Sequence, residues 1–229
     1  MDPRFTGVIP PVVTPFLDGS VDLDSLDRLV DMLIGAGVDG LFLLGSSGET
    51  AYLTDSRREA VVARAVAHAD GRVPVLAGAI DTTAPRVIEQ AWRAAAAGTN
   101  TVVATCPFYA LNDASEIENH FRAIGAGVDV PLFAYDVPVR LGGARPTADV
   151  LVRLGADGVL AGVKDSSSDD VGLRRLVAAN EAAGYPLALL TGHECVVDNM
   201  HFAKYSNEVY LPCYAGFIKI AVRATMTFA

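Results

Sequence analysis

Residues 131–167 read PLFAYDVPVRLGGARPTADVLVRLGADGVLAGVKDSS. The stretch opens on one apolar run, Pro131–Tyr135, and nearly closes on another, Val159–Val163. A helical segment fits between them, around Thr147–Leu154. Neither run alternates apolar with polar residues, the pattern of strands buried on both faces of a parallel sheet. Strand, helix, strand is the repeating unit of an α/β fold.

The same unit recurs along the chain. Further apolar runs occur at Gly7–Val13, Gly40–Leu44, Val73–Gly78, Thr101–Thr105 and Leu187–Thr191. Between them, Leu26, Leu29, Val30, Leu33 and Ile34 form one helical stripe. Thr54 is placed to cap a helix carrying Val61, Val62, Ala65 and Val66. Thr83 with Pro85 opens another helix, and two more fit around Ala114–Ala126 and Asp170–Ala183. No strand leads into a G-x-G-x-x-G or a P-loop, so nucleotide-binding folds lose their main signature. The regular repeat favours the closed (β/α)8 TIM barrel over an open doubly wound sheet. No Pro- or Ser-rich linker interrupts it, so residues 1–229 are expected to form a single barrel domain.

The end of the chain reads differently. Residues 199–229 carry net charge +2, against −11 for residues 1–198. Either Glu208–Cys213 is a ragged eighth strand and Phe217–Phe228 the start of a final helix, or the C-terminus is altered or truncated. Composition narrows the function. A net charge of −9 argues against a nucleic-acid binder. No apolar stretch approaches a membrane span, and the N-terminus shows no signal-peptide pattern. Cys106, Cys195 and Cys213 lack metal-ligand spacing and are expected to be reduced core residues of a cytoplasmic protein.

In a barrel of this kind the chemistry sits at the carboxyl ends of the strands. There the sequence places Gly45-Ser46-Ser47-Gly48-Glu49, Cys106-Pro107-Phe108-Tyr109, Tyr135–Arg140, Lys164-Asp165-Ser166 and Thr191-Gly192-His193. Among residues 1–198, Lys164 is the only lysine; the other basic residues there are arginines. An arginine does not deprotonate, whereas a buried lysine does, and a free amine can form an imine with a ketone. Residues 133 and 135 share one strand face, as do 162 and 164, so Tyr135 and Lys164 become neighbours if both faces point inward. A phenol beside the amine would move protons. The Gly45–Glu49 loop is either a plain turn or a nest of N–H donors for a carboxylate. Arg140 either grips a second carboxylate or lies on the surface. Tyr109 suits packing, and His193 suits a satisfied loop position better than a base.

Taken together, GVIPPVVTPF (7–16), GSSGE (45–49), CPFY (106–109), YDVPVR (135–140), GVKDSS (162–167) and TGHE (191–194) make the chain resemble one family. It is similar to the pyruvate-dependent class I aldolases of the dihydrodipicolinate synthase and N-acetylneuraminate lyase group. The resemblance implies an eight-fold barrel in which Lys164 forms an imine with pyruvate and Tyr135 transfers protons. It implies Ser46 and Tyr109 as relay hydroxyls, Tyr109 reaching a neighbouring subunit's site in a homotetramer. Ser47, Gly48 and Gly192 would border the substrate, and Arg140 would hold the carboxylate of an aldehyde such as aspartate semialdehyde. No metal or organic cofactor is implied, since the imine itself is the electron sink. The implied partners are pyruvate, an aldehyde and further copies of the chain, as a dimer or tetramer. Where the synthase branch typically has two Thr and two Asn, this chain has Ser46, Ser47, Ala110 and Asp136. Two alternatives stay open: aldol cleavage or dehydration of a 2-keto-3-deoxy sugar acid or N-acetylneuraminate-type substrate, and a catalytically inactive truncated barrel.

Overall fold

The computed structural model describes residues 5–193. A short antiparallel hairpin comes first, β1 (Phe16–Leu17) and β2 (Ser20–Val21), followed by α1 (Leu23–Gly35). Strands and helices then alternate: β3 (Leu41–Leu43), α2 (Asp55–Ala69), β4 (Val75–Gly78), α3 (Ala84–Ala96), β5 (Thr101–Thr105) and α4 (Ala114–Ala126). The series continues with β6 (Leu132–Asp136), α5 (Ala148–Ala156), β7 (Gly162–Asp165), α6 (Asp170–Ala182) and β8 (Ala188–Thr191). The six strands β3 to β8 form one parallel sheet in sequence order. This is the α/β alternation of a TIM-type barrel, with helices outside and strands within.

Local chemistry fixes the helix starts. Asp22 caps α1 by accepting from the Ser25 N–H, Thr54 caps α2, and Thr147 caps α5. Asp113 and Glu116 form a reciprocal capping box on α4. Thr83 occupies the cap position of α3 without a side-chain bond, and Pro85 in the first turn supplies the preset φ.

Two expected strands differ in extent. Gly7–Val13 is reduced to one parallel bridge, Pro11 beside Phe42. Pro10 and Pro11 lack N–H groups, so the pairing is sparse: Val12 N–H to the Phe42 carbonyl, 2.8 Å, Phe42 N–H to the Pro10 carbonyl, 3.0 Å, and Asp39 N–H to the Val8 carbonyl, 2.8 Å. The segment still lies where a strand preceding β3 belongs. The run at Val159–Val163 becomes a strand at Gly162–Asp165. Val159 and Leu160 both donate to the Leu154 carbonyl and finish α5, and Ala161 begins the ladder by donating to Leu132 at 2.8 Å. The shift places Lys164 and Asp165 inside the strand. Glu208–Cys213, Phe217–Phe228, Cys195 and Cys213 lie outside the described residues, while Cys106 is a buried free thiol as expected. Burial pushes its pKa up to about 12.

The register stacks the inner face in layers. Val103, Phe133, Gly162 and Ala188 are paired in succession, and Thr105, Tyr135, Lys164 and Leu190 form the next layer towards the carboxyl ends. Phe5 packs edge-on against Phe133, with ring centroids 5.1 Å apart, and fills the lower layer. Gly162 leaves room for that ring, since a Cβ there would run into Phe133 and the Ala188 carbonyl. Among the described residues no helix is long and apolar enough to cross a membrane.

Candidate active site

Lys164 sits in the upper layer, 4% exposed, directly opposite Tyr135 in register. Its Nζ lies 3.9 Å from the centroid of the Tyr135 ring and 4.5 Å from that of Phe42. The two rings meet edge-on, 6.1 Å apart. Phe42 enters from β3 because strand alternation turns it to the same interior. Burial pushes the Lys164 ammonium well below the ordinary lysine range, which favours the free amine. An amine held in this state is a nucleophile.

The hydroxyl of Ser46 lies 3.5 Å from that of Tyr135, a long contact across the top of the layer. Ser46 and Ser47 are exposed on the loop after β3. That loop is held down at Gly48, whose carbonyl accepts from the buried Thr14 hydroxyl at 2.7 Å. The Gly48 N–H donates to the Gly45 carbonyl at 3.1 Å, and Glu49 donates to Ser46 at 3.2 Å. These two N–H groups are therefore spent inside the turn. Gly192 follows β8 and donates to the Asp165 carbonyl at 2.6 Å. A Cβ at Gly192 would meet the Ser166 hydroxyl, which would have to turn aside.

Two expected site residues stand apart from this cluster. Tyr109 is 100% exposed, so its ring touches none of Lys164, Tyr135 or Ser46 within the chain. Its φ is +80°, a left-handed conformation that a residue with a Cβ seldom adopts. Arg140 lies exposed in a 3-10 turn, Pro138–Arg140, just beyond the end of β6. His193 behaves as a loop residue: its N–H donates to the Thr191 hydroxyl at 3.1 Å, and its Nδ1 lies 3.5 Å from Asp170.

Behind the layer lies a group of charges that the sequence did not disclose. Asp136 and Asp165 follow Tyr135 and Lys164 and so point to the other face of the sheet. Arg145 bridges Asp136 at 2.7 Å and Asp169 at 2.8 Å. Burial raises Asp136 to about 6 against the opposing pull of Arg145, and burial also raises Asp165. Only Asp136 carried a sequence signal, as the acid standing where the synthase branch has Asn.

The fold has counterparts among known proteins. A model of the dihydrodipicolinate synthetase family matches residues 4–205. The chain belongs to the dihydrodipicolinate synthetase family. Within the family it is 38% identical over 169 residues to a 4-hydroxy-tetrahydrodipicolinate synthase of Phenylobacterium zucineum, covering 74% of this chain and 57% of the relative. It is 35% identical over 191 residues to YagE of Escherichia coli, described as a putative 2-dehydro-3-deoxy-D-gluconate aldolase, covering 83% of this chain and 63% of that one. The chain thus spans about three-fifths of the length of these relatives. The crystal structure of YagE in complex with pyruvate superposes with a TM-score of 0.85 at 32% identity, covering 90% of this chain and 70% of YagE. A monomeric dihydrodipicolinate synthase variant gives the same TM-score at 27% identity, covering 91% of this chain and 69% of that one.

Proposed function

We propose that the protein is a lyase of the pyruvate-dependent class I aldolase type, acting through an imine on Lys164. The observation that carries this reading is the buried Lys164 amine set 3.9 Å from the face of the Tyr135 ring. The neutral amine attacks C2 of pyruvate, and loss of water gives an iminium. The iminium draws electrons from C3, which sheds a proton and becomes an enamine carbon. That carbon attacks an aldehyde, and hydrolysis returns the lysine. Because the iminium is the electron sink, the sequence of steps calls for no metal or organic cofactor. Run backwards, it cleaves a 4-hydroxy-2-keto acid to pyruvate and an aldehyde.

Tyr135 serves as the proton-transferring phenol, with Ser46 as its hydroxyl partner. Ser47 borders the pyruvate carboxylate, and Gly48 and Gly192 keep the surrounding loops compact. Tyr109 completes the relay from a neighbouring copy, which accounts for an exposed aromatic in a strained conformation. The working enzyme is therefore a homo-oligomer. Arg140 receives the carboxylate of an acidic aldehyde, which makes aspartate semialdehyde the favoured second substrate. A second reading, cleavage of 2-keto-3-deoxy sugar acids, draws support from the likeness to YagE.

The test is chemical trapping. The protein is incubated with pyruvate, reduced with borohydride and analysed by intact and peptide mass. The expected result is a single adduct on Lys164, absent from Lys164→Arg. Folded protein without an adduct overturns the reading. Turnover of aspartate semialdehyde against keto-deoxy sugar acids then separates the two substrate classes. Undiminished turnover by Arg140→Ala would remove the case for an acidic aldehyde.

A further inference from the structure

One guanidinium ties together three parts of the barrel mouth. Arg145 Nη2 donates to Asp136 Oδ2 at the end of β6, 2.7 Å, and Nη1 donates to Asp169 Oδ2, 2.8 Å. Asp169 caps α6, its Oδ1 accepting from the Gly172 N–H at 2.9 Å. Asp136 is 2% exposed, so its carboxylate needs a partner of opposite charge. Between Asp136 and Arg145 runs the segment that carries Arg140. Its backbone bonds are internal: Arg140 to Val137, Leu141 to Pro138, Gly143 to Pro138 and Ala144 to Leu141. They fold the segment onto itself, and Arg145 supplies the polar link from its returning end to β6 and α6.

We propose that Arg145 is a positioning residue, which fixes the Arg140-bearing segment 137–144 at the barrel mouth by clamping Asp136 and Asp169. Arg145 acts through Arg140 and touches no reacting atom. The inference rests on the reading of Arg140 as the receiver of the second substrate's carboxylate. The clamp also depends on pH. The charged and titratable groups facing Asp136 are Arg145 from the loop, Asp165 from β7, Asp169 ahead of α6 and Cys106 at the end of β5. Burial sets Asp136 at about 6, so acidification below that point removes the charge from one half of the clamp.

The experiment compares wild type with Asp136→Asn/Arg145→Leu, which removes both members of the buried pair together, while Asp165 keeps its hydrogen bonds from Ser167. Two readouts are used. Trypsin cleavage after Arg140 reports the segment directly; position 145 precedes Pro146 and is a poor trypsin site, so the substitution removes no competing cut. Kinetics separate KM for aspartate semialdehyde from the rate of borohydride-trapped pyruvate adduct on Lys164. Cleavage after Arg140 is expected to be about tenfold faster, as local opening becomes easier. KM is expected to rise roughly fivefold or more, with adduct formation within about twofold of wild type. Unchanged cleavage, or cleavage accelerated equally at every arginine, overturns the clamp. Faster cleavage after Arg140 in this variant, with KM unchanged both in it and in Arg140→Ala, would overturn the role of Arg140 and leave the clamp standing.

Discussion

Tyr135 and Lys164 face each other across β6 and β7, and the Lys164 Nζ stands over the ring of Tyr135. Two effects compete at that nitrogen. The aromatic face attracts an ammonium, and burial rejects it. Burial wins, and the pKa falls.

Lys164→Met should therefore stabilise the protein at neutral pH. The folded pKa lies below the unfolded value of about 10.4, so the unfolded chain binds more protons over the interval between them. Wild-type stability rises with pH through that interval, whereas the variant lacks this dependence. At pH 7 the variant should show the higher urea midpoint and the higher Tm. Urea midpoints at pH 7, 8 and 9 should show the advantage shrinking. A pH-independent difference would contradict the depressed pKa.

Asp136→Asn should change stability with the opposite slope. Here the folded pKa, about 6, exceeds the ordinary aspartate value of 3.8. Folded wild type binds more protons between those values, so it loses stability as pH rises from about 4 to about 6. The Asn variant should be free of that loss. Its denaturation midpoint relative to wild type is expected to improve between pH 4.5 and pH 7, and a flat difference would count against it.

Gly162→Ala should destabilise the barrel by about 1–3 kcal/mol, the usual penalty for overpacking a core. The new methyl meets the ring of Phe133 and the Ala188 carbonyl. Pairing it with Phe133→Leu should restore part of the loss, because the ring is the movable obstacle. Equilibrium urea unfolding of the single and double variants is the check.

Tyr109→Gly should separate stability from activity. The ring is fully exposed, so its removal forfeits no packing within the chain. Glycine accepts φ +80° freely, so relief of strain should leave stability level or higher by about 1 kcal/mol. Turnover should fall if the phenol serves a neighbouring copy's relay. Full turnover would show that the tyrosine has no part in it.

Features that follow from period and burial were legible before any coordinates. The apolar runs identified the sheet, and the two-residue alternation brought Tyr135 and Lys164 to one face. Short-range exceptions were harder. Pro10 and Pro11 thin the first strand to a bridge, and the tail of α5 takes up Val159 and Leu160. The β1–β2 hairpin has strands of two residues each, too short for a periodic signal, and its one local mark is Asp18-Gly19, with φ of +49° and +77°, in the two-residue turn. Phe42 and Arg145 could not be read from the sequence. Phe42 meets Lys164 only through barrel curvature, and Arg145 joins acids 9 and 24 residues away from a loop without periodicity.

The pleat of β6 and β7 works as a partition. Tyr135 and Lys164 occupy one side, and their immediate successors Asp136 and Asp165 occupy the other. Substitutions on the outer side can retune the loop over the mouth while Tyr135 and Lys164 keep their geometry. One peptide bond thus separates the chemistry proposed for the inner row from the charges that hold the loop above it.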